Sequence, residues 1–399
     1  MSAVDAAALD AADPLAGFRH RFGESEAGRI YLDGNSLGRP SEAVETRVAA
    51  SVREWGDRLV EGWVDWVELP RRVGDRLAAA CLGARPGEVL VTDTTTVNLF
   101  KLAHAALDLR DGAVVTDAGN FPTDRYVLEG VAQARGRRFV LAGSVEEAVA
   151  TRDAALVCLA HVDYRSGRRL DIATLTAGTN AFVIWDLSHS AGAVPVDLSI
   201  SDLAVGCSYK YLNAGPGAPA FLYVRRELQD AMVSPIRGWF SQRDQFEMGP
   251  TYTPAEGIDR FMAGTPPIVG LVALDASLEI IEEAGIDRIG AKAEAITSFA
   301  IGRIDERLVG LGFEVASPRA PEHRGAHVAL RHELAWPICR ALIEDARVVP
   351  DFRRPDIVRL GMPPLSTSYA EVAEAIERLR ALVKRGDHVR VDAAPRRIT

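Results

Sequence analysis

Two apolar segments and the polar residues that follow them decide the fold. The first segment is Ala181-Phe-Val-Ile-Trp-Asp186, and the second, residues 203–207, runs into Cys207-Ser-Tyr-Lys-Tyr-Leu-Asn-Ala-Gly-Pro-Gly217. Both are as apolar as strands that are buried on the two faces of a parallel sheet. Ligands of such sheets bind beyond the carboxyl ends of the strands. Asp186 at one strand end and Lys210, 24 residues later (210 − 186), are therefore expected to face one cleft.

Strand-like and helix-like segments alternate on both sides of this stretch. Amphipathic segments such as 97–107 and 124–135 separate short apolar runs. This alternation is typical of an α/β domain with a mostly parallel sheet covered by helices on both faces. The predicted strands are residues 88–92, 113–117, 138–141, 155–160, 181–186, 203–207 and 220–224.

The pattern changes after Pro267, where long helical segments and a few short strands indicate a smaller α+β domain. The expected division is a large domain over residues 45–265, with residues 1–44 and 266–399 forming an N-terminal arm and the small domain. Residues 391–399, which are basic and contain proline, are expected to be a frayed tail. In this part the predicted helices are 269–284, 286–308, 334–345 and 369–384, and the predicted strands are 327–330 and 357–360.

Composition argues against several classes of protein. The 399 residues are 48% hydrophobic and 25% charged, which is ordinary for a globular protein with a sizeable core. A net charge of −9 without a basic cluster argues against nucleic acid and membrane surfaces as partners, so a small molecule is expected. No apolar run reaches 18 residues, and residues 1–13 lack the pattern of a signal peptide. The 4 cysteines are far apart and form no Cys-x-x-Cys pair, which predicts a reduced, cytoplasmic protein without a metal site.

A carboxylate and a lysine at neighbouring strand ends are the groups that pyridoxal phosphate (PLP) requires. The lysine forms a Schiff base with the cofactor, and the carboxylate pairs with the pyridinium nitrogen so that the ring acts as an electron sink. Taken alone, Lys210 would be a solvated surface lysine and Asp186 an ordinary turn carboxylate. The two together, at this spacing and on these elements, predict PLP as the cofactor.

Further polar groups follow two other predicted strands. Thr94-Thr-Thr96 opens a helix, where hydroxyls beside free N–H groups would bind a phosphate; a threonine cap without a ligand is the alternative. Phe121-Pro-Thr-Asp124 would place an aromatic ring over the heterocycle and a carboxylate near its nitrogen; the alternative is a proline turn with Asp124 as a helix cap. His189 would orient Asp186 or contact the cofactor near its 3-oxygen, unless it is an ordinary turn histidine.

Several segments taken together resemble one known family. They are Tyr31-Leu-Asp-Gly-Asn-Ser-Leu-Gly38, Phe121-Pro-Thr-Asp124, Trp185-Asp-Leu-Ser-His189, Cys207-Ser-Tyr-Lys-Tyr-Leu-Asn-Ala-Gly-Pro-Gly217 and Gly264-Thr-Pro-Pro267. In this order they resemble kynureninase, a family of PLP-dependent fold-type I enzymes related to the class V aminotransferases. The resemblance spans residues 30–270, with a continuation to about residue 385, and the block that contains Lys210 is quite specific.

Carried over residue by residue, the resemblance implies a complete site. Lys210 is the Schiff-base lysine, Asp186 is the partner of the pyridinium nitrogen, and Tyr209 is a phosphate contact and candidate proton donor. Arg359 is implied to bind the α-carboxylate of the substrate, with Arg353 and Arg354 as competing candidates. Of the remaining residues, Thr95 and Thr96 are implied to contact the phosphate, and Phe121, Asp124 and His189 the ring. Trp239 and Thr265 are implied to act across a dimer interface, and Trp63 and Thr265 to lie beside the substrate.

The implied activity is hydrolysis of the Cβ–Cγ bond of L-kynurenine, or of a 3-hydroxy or otherwise ring-substituted kynurenine. The products would be anthranilate or its analogue and L-alanine, a step of tryptophan catabolism, in a homodimer with sites at the subunit interface. After Gly238-Trp239 the run Phe240-Ser-Gln242 departs from the usual aromatic-Gly-His of the family, which leaves the ring substituents open.

Two other interpretations of the same residues stay open. One is another fold-type I PLP enzyme, such as a cysteine desulfurase or lyase or a transaminase. The other is a catalytically silent PLP-fold module kept for binding, against which the retention of both Lys210 and Asp186 argues.

Overall fold

A seven-stranded, mostly parallel sheet lies at the centre of the computed structural model, which describes residues 5–23 and 26–390. The strands of the chain are β1 (Ile30–Tyr31), β2 (Val89–Val91), β3 (Ala113–Asp117), β4 (Phe139–Ala142), β5 (Ala154–Ala160), β6 (Phe182–Asp186), β7 (Leu203–Gly206), β8 (Phe221–Val224), β9 (Glu314–Val315), β10 (His327–Arg331), β11 (Val348–Val349), β12 (Asp351–Arg353) and β13 (Ile357–Gly361). The order in the central sheet is β2-β8-β7-β6-β5-β3-β4. Every neighbouring pair is parallel except those of β8, which is antiparallel to β2 and β7.

Helices cover this sheet and link its strands. They are α1 (Ala6–Ala12), α2 (Glu42–Arg58), α3 (Trp63–Trp66), α4 (Leu69–Leu77), α5 (Thr95–Leu109), α6 (Pro122–Ala134), α7 (Val145–Val149), α8 (Ile172–Ala177), α9 (Arg226–Gln229), α10 (Ile268–Ala284), α11 (Ile286–Arg307), α12 (Ala335–Glu344) and α13 (Tyr369–Arg385). Within residues 5–23 and 26–390, every helix is too short or too polar to span a lipid bilayer.

Successive residues of the central strands enter different apolar clusters. Val114 and Leu156 pack with α5 and α6 on one face, whereas Val115 and Val157 pack with α4 and α10 on the other. A strand that is buried on both faces is apolar at every position, which is the pattern that predicted these strands. The predicted α/β fold, with a mostly parallel sheet covered on both faces, is confirmed.

All seven predicted strands of the central sheet are present, and none of their ends shifts by more than one residue. Helix α2 was not predicted. Of its 17 residues only Val44 and Ser51 are buried, and its Trp55 is 59% exposed, so the helix carries no apolar stripe of the usual kind.

The C-terminal part forms a separate four-stranded antiparallel sheet, in the order β12-β13-β10-β9, which packs with α11, α12 and α13. The N-terminal segment joins this part, because β1 pairs with β11 in parallel. Helix α10, by contrast, buries Leu274 and Leu278 in the core of the central sheet. The domain division at residues 44 and 265 stays a prediction, and the tail at 391–399 lies outside the described residues.

Candidate active site

Lys210 and Asp186 lie at the carboxyl ends of neighbouring parallel strands, β7 and β6. Asp186 is 6% exposed, and one of its carboxylate oxygens accepts hydrogen bonds from the N–H of Ser188 at 2.9 Å and from its hydroxyl at 2.6 Å. Lys210 Nζ lies 3.4 Å from Nε2 of His189. The sequence did not predict a role for Ser188, although it stands inside the quoted motif two residues after Asp186, where a serine commonly binds an aspartate side chain.

A second carboxyl group faces Asp186. Asp124 lies in the first turn of α6 and is 2% exposed. Burial, and then the negative charge of Asp186, raise the pKa of Asp124 well above its usual range, while the charge of Lys210 opposes this. One oxygen of Asp124, Oδ2, has no hydrogen-bond partner among the described residues. Two buried carboxyls this close favour one neutral and one charged group, and the hydrogen bonds from Ser188 favour Asp186 as the charged one.

Helix α5 begins at the threonines for which a phosphate site is predicted. Thr94 is the N-cap, and its hydroxyl accepts the N–H of Val97 at 3.3 Å. Thr95 and Thr96 are the first two helical residues, whose N–H groups have no partner inside a helix. The hydroxyl of Thr94 is therefore used for capping, and the phosphate contacts of Thr95 and Thr96 stay a prediction.

Aromatic and imidazole rings surround the cleft. Phe121 caps α6, and its ring packs edge-on against Tyr164, with 5.2 Å between the ring centroids. Burial, and then the charges of Lys210 and Arg359, lower the pKa of His189 well below its usual value, so its ring is neutral. His327, at the start of β10, is also buried, and its ring lies 6.0 Å from that of His189. The sequence did not single out His327, because a histidine in an apolar strand gives no sign of what it faces.

Arg359 lies in β13 and is completely buried. Its guanidinium donates to the carbonyl of Tyr164 and forms an ion pair with the carboxylate of Asp351, which stands opposite it in β12. Arg353 binds the other oxygen of the same carboxylate at 2.9 Å, and its side chain is 31% exposed. Burial lowers the pKa of Arg359 to about 10. Arg354 is exposed, so Arg359 is the arginine that the fold buries beside His189 and Lys210.

The motif at residues 31–38 also belongs to this cleft. Ser36 Oγ lies 3.4 Å from a guanidinium nitrogen of Arg359, and the Asn35 amide oxygen accepts from Arg359 at 2.9 Å in the amide orientation that satisfies both groups. A Cβ at Gly38 would lie 2.2 Å from the carbonyl oxygen of Lys210, so only glycine fits there. The sequence pointed to this motif but did not assign it a role, because its partners are more than 150 residues away.

Tyr209 lies beside Lys210, whose Nζ is 5.7 Å from the centre of its ring. Burial raises the pKa of Tyr209, and the neighbouring Cys207 raises it further. The hydroxyl is therefore protonated throughout the neutral range.

Three other predicted residues have their recorded contacts at a different surface. The ring of Trp63 packs against Trp66 and Phe240, with centroid distances of 5.7 and 6.1 Å. Trp239 is 43% exposed and contacts Phe240 with 4.5 Å between ring centroids. Thr265 is exposed. Nothing in the contacts of Trp63 and Trp239 within the described residues joins them to Lys210.

The departure at Ser241-Gln242 has a local structural role. The Ser241 hydroxyl accepts from the N–H of Gly238 at 3.2 Å and from the hydroxyl of Tyr252 at 3.1 Å. The Gln242 side chain accepts the N–H of Thr253 at 2.6 Å. Both side chains therefore hold residues 251–254 against the segment that presents Trp239.

The residues of the cleft fit the chemistry of PLP. Lys210 is a half-buried amine available for a covalent link, and Asp186 is a buried carboxylate for the pyridinium nitrogen. The start of α5 would hold the phosphate, and the unpartnered oxygen of Asp124 points to a polar group beyond the protein.

Comparisons with known proteins identify the family of the chain. Residues 77–332 match the family described as Aminotransferase class-V, and residues 289–379 match the Kynureninase C-terminal domain. A kynureninase of Pseudomonas fluorescens is 41% identical, with 96% of this chain and 95% of the relative covered. A kynureninase of Burkholderia pseudomallei strain K96243 is 39% identical, with 95% of both sequences covered.

Solved structures at low sequence identity share the fold. A cysteine desulfurase from Thermococcus onnurineus NA1 superposes with a TM-score of 0.77 at 20% identity, covering 96% of this chain and all of the other. The cystine C–S lyase C-DES gives a TM-score of 0.78 at 19% identity, covering 89% of this chain and 98% of the other. At this identity they show the architecture alone, whereas the sequence relatives confirm the resemblance drawn from the motifs: the chain belongs to the kynureninase family.

Proposed function

We propose that this enzyme hydrolyses the Cβ–Cγ bond of L-kynurenine, or of a ring-substituted kynurenine, in the cleft beyond β6 and β7. The products are anthranilate, or its analogue, and L-alanine. Family membership makes the chain a PLP-dependent hydrolase of carbon–carbon bonds. The observation that carries the proposal is the convergence of Lys210, Asp186 and the buried Arg359 on one cleft.

PLP, when bound, supplies an electron sink that stabilises negative charge on the substrate. Asp186, fixed by the two hydrogen bonds from Ser188, keeps the pyridine nitrogen protonated. Asp124, as the neutral acid of the pair, does not repel the carboxylate of Asp186. Thr95 and Thr96 bind the phosphate, and Phe121 covers the ring.

Lys210 holds the cofactor, and its amine then moves the proton of the substrate Cα. The Nε2 of His189, 3.4 Å from this amine, orients it by a hydrogen bond. His189 is neutral, so it does not repel a protonated Lys210. Tyr209 is the candidate donor of a proton to the substrate Cβ, since its raised pKa keeps the hydroxyl protonated.

Arg359 binds the α-carboxylate of the substrate. Its partners Asn35 and Ser36 hold the planar guanidinium in place, and Asp351 balances its charge in the buried site. A guanidinium fixed in this way sets the direction from which a carboxylate approaches, and hence the orientation of Cα relative to Lys210.

A homodimer with shared sites is the second part of the proposal. Trp55, Leu59, Val60 and Val64 are each between 59% and 77% exposed, an apolar surface that is unusual for a monomer. Trp63 and Trp239 both contact Phe240 and so lie together, and the resemblance to the family implies that this surface supplies Trp239 and Thr265 to the partner's cleft. A cytoplasmic location is proposed from the four cysteines, which are all unpaired and buried.

The buried cysteines also argue against a desulfurase. Such an enzyme needs a mobile, reactive thiol near the cleft. Cys339 is completely buried in α12, and burial raises the pKa of its thiol to about 12. Cys81 is buried as well, with its pKa likewise raised to about 12.

The activity is tested by incubating the purified enzyme with L-kynurenine and following the fluorescence of anthranilate. We expect product from the native chain and none from Lys210→Ala, which should also lose the visible absorption of the lysine-bound cofactor. Alanine and sulfide from cysteine, with no anthranilate from any kynurenine, would overturn the proposal. A comparison of kcat/KM across ring-substituted kynurenines, for the native chain and for Gln242→His, identifies the preferred ring.

The shared site is tested by mixing two inactive variants, Lys210→Ala and Trp239→Ala. If each site takes Lys210 from one subunit and Trp239 from the other, random heterodimers recover about one quarter of the native activity. Recovery that stays at the level of the separate variants, although heterodimers form, would show that the two residues act in the same subunit.

A further inference from the structure

Helix α5 carries a lysine whose ammonium group lies wholly inside the protein. Lys101 is completely buried, and its Nζ donates to the carbonyl oxygen of Phe261 at 2.6 Å and forms an ion pair with Asp93. Burial lowers the pKa of Lys101, and the charge of Asp93 opposes this. Lysine is almost never fully buried unless it is paired. These two partners therefore stabilise the charged form of Lys101 inside the protein.

Asp93 forms the turn from which α5 starts. Its φ of +50° lies in the left-handed region, which is costly for a residue with a side chain. The carbonyl of Asp93 accepts the N–H of Ala220 at 2.9 Å, and the hydroxyl of Thr92 donates to the Asp93 carboxylate at 3.0 Å. The ion pair with Lys101, two turns along α5, completes this set of restraints. This turn therefore fixes the direction of the first N–H groups of α5.

The other partner of Lys101 belongs to the segment that ends in Thr265. Phe261 closes a short helix, and two residues later the carbonyl of Ala263 accepts the N–H of Phe240 at 3.3 Å. Lys101 therefore connects the start of α5 with the chain segment that presents Trp239 and Thr265.

We propose that Lys101 is a positioning residue for the phosphate of the cofactor. It fixes the Asp93 turn, so that the N–H groups of Thr95 and Thr96 point at the phosphate. It also balances the negative charge of Asp93, which would otherwise repel a phosphate bound at the same helix end. This inference rests on the proposed role of Thr95 and Thr96.

The test compares binding of PLP and of pyridoxal, which lacks the phosphate, to the full-length apoenzyme by fluorescence titration. In Lys101→Met we expect PLP to bind at least about tenfold more weakly, because an unpaired carboxylate remains beside the phosphate. Pyridoxal should bind within about twofold of the native level. The double variant Asp93→Asn/Lys101→Met, which removes both charges, should recover only the part of the PLP affinity that the charge balance supplies, and the loss that remains measures the effect of Lys101 on the turn.

A matched control separates this inference from the phosphate site itself. Thr95→Pro/Thr96→Val removes one N–H and two hydroxyls, and proline is compatible with the first helical position and with the extended Thr94 before it. If this control keeps the preference for PLP over pyridoxal, the proposed phosphate site is wrong. If the control loses the preference for PLP over pyridoxal while Lys101→Met keeps this preference, only the role of Lys101 is overturned.

Folding is controlled by near-ultraviolet circular dichroism of each apoenzyme. Lys101→Gln keeps a donor without the charge and should lose the same preference, so it replaces the methionine variant if that one does not fold. An equal loss of PLP and pyridoxal binding in either variant would reduce Lys101 to a purely structural role and refute the inference.

Discussion

His161 couples proton uptake to the stability of the strand end that carries Asp186. Its backbone N–H donates to the Asp186 carbonyl at 2.9 Å, and its ring packs edge-on against Trp185, with 6.3 Å between centroids. The side chain is buried, and burial, followed by the charge of Arg169, lowers the pKa of His161 to about 3. The folded protein therefore keeps this ring neutral well below neutral pH.

The sign of the effect follows from the direction of that shift. An unfolded histidine titrates near pH 6.5, so below this pH the unfolded chain binds a proton that the folded chain does not. The stability that His161 contributes is complete above about pH 6.5 and is lost as the pH falls toward 3. A difference of about 3.5 pKa units at about 1.36 kcal/mol each gives an upper limit of about 5 kcal/mol. Between pH 6 and 4 the slope is about 1.4 kcal/mol per pH unit.

The perturbation is His161→Gln, and the assay is urea unfolding of the apoenzyme at a series of pH values from 7 to 4. The dependence of the unfolding free energy on pH should be shallower by about 1.4 kcal/mol per pH unit in the variant. His20→Gln, which removes an exposed histidine, is the matched control. A slope for His161→Gln equal to that of the control would refute the assignment of a buried neutral ring.

Three other expectations concern the cleft and the dimer. Arg359→Lys keeps the charge but loses the planar fork, so KM for kynurenine should rise about 10- to 100-fold with a smaller change in kcat; an unchanged KM would assign the carboxylate to another group. Asp186→Asn should lower kcat by about 100-fold, whereas Asp124→Asn, which stays uncharged, should lower it much less; equal losses would contradict the division into a charged and a neutral carboxyl. Val60→Asp should shift dimers to monomers in analytical ultracentrifugation, and an undiminished dimer would remove this surface from the interface.

The sequence predicts the central sheet well because its strands have a simple physical signature. Each is buried on both faces, so an uninterrupted apolar run marks it, and the polar residue that ends the run marks the cleft. Asp186 and Lys210 could be placed together for this reason. Helix α2 lacked such a signature, because only Val44 and Ser51 of its 17 residues are buried and its Trp55 is 59% exposed.

The resemblance supplied Arg359 from the C-terminal part, but its neighbours Asp351 and His327 could not be predicted, since their proximity depends on strand register. Asp351 reaches Arg359 because β12 and β13 pair with these two residues opposite each other, and nothing in the local sequence reports that register. His327 comes near His189 by the same kind of pairing across parts of the chain far apart in sequence. Local patterns indicate elements and their ends, whereas register is a property of two segments at once.

The site proposed for the substrate carboxylate joins two segments that lie far apart in the chain. Ile30 stands opposite Val348, and the N–H of Gly361 donates to the carbonyl of Leu32 at 2.7 Å, which brings the motif at 31–38 to Arg359. On the ribosome, the N-terminal segment of this site is synthesised first. The strand that pairs with it follows 318 residues later (348 − 30). The strands of the central sheet are complete by residue 224. A nascent chain thus completes the strands of its central sheet well before residues 348–361, which complete the proposed carboxylate site, have been synthesised.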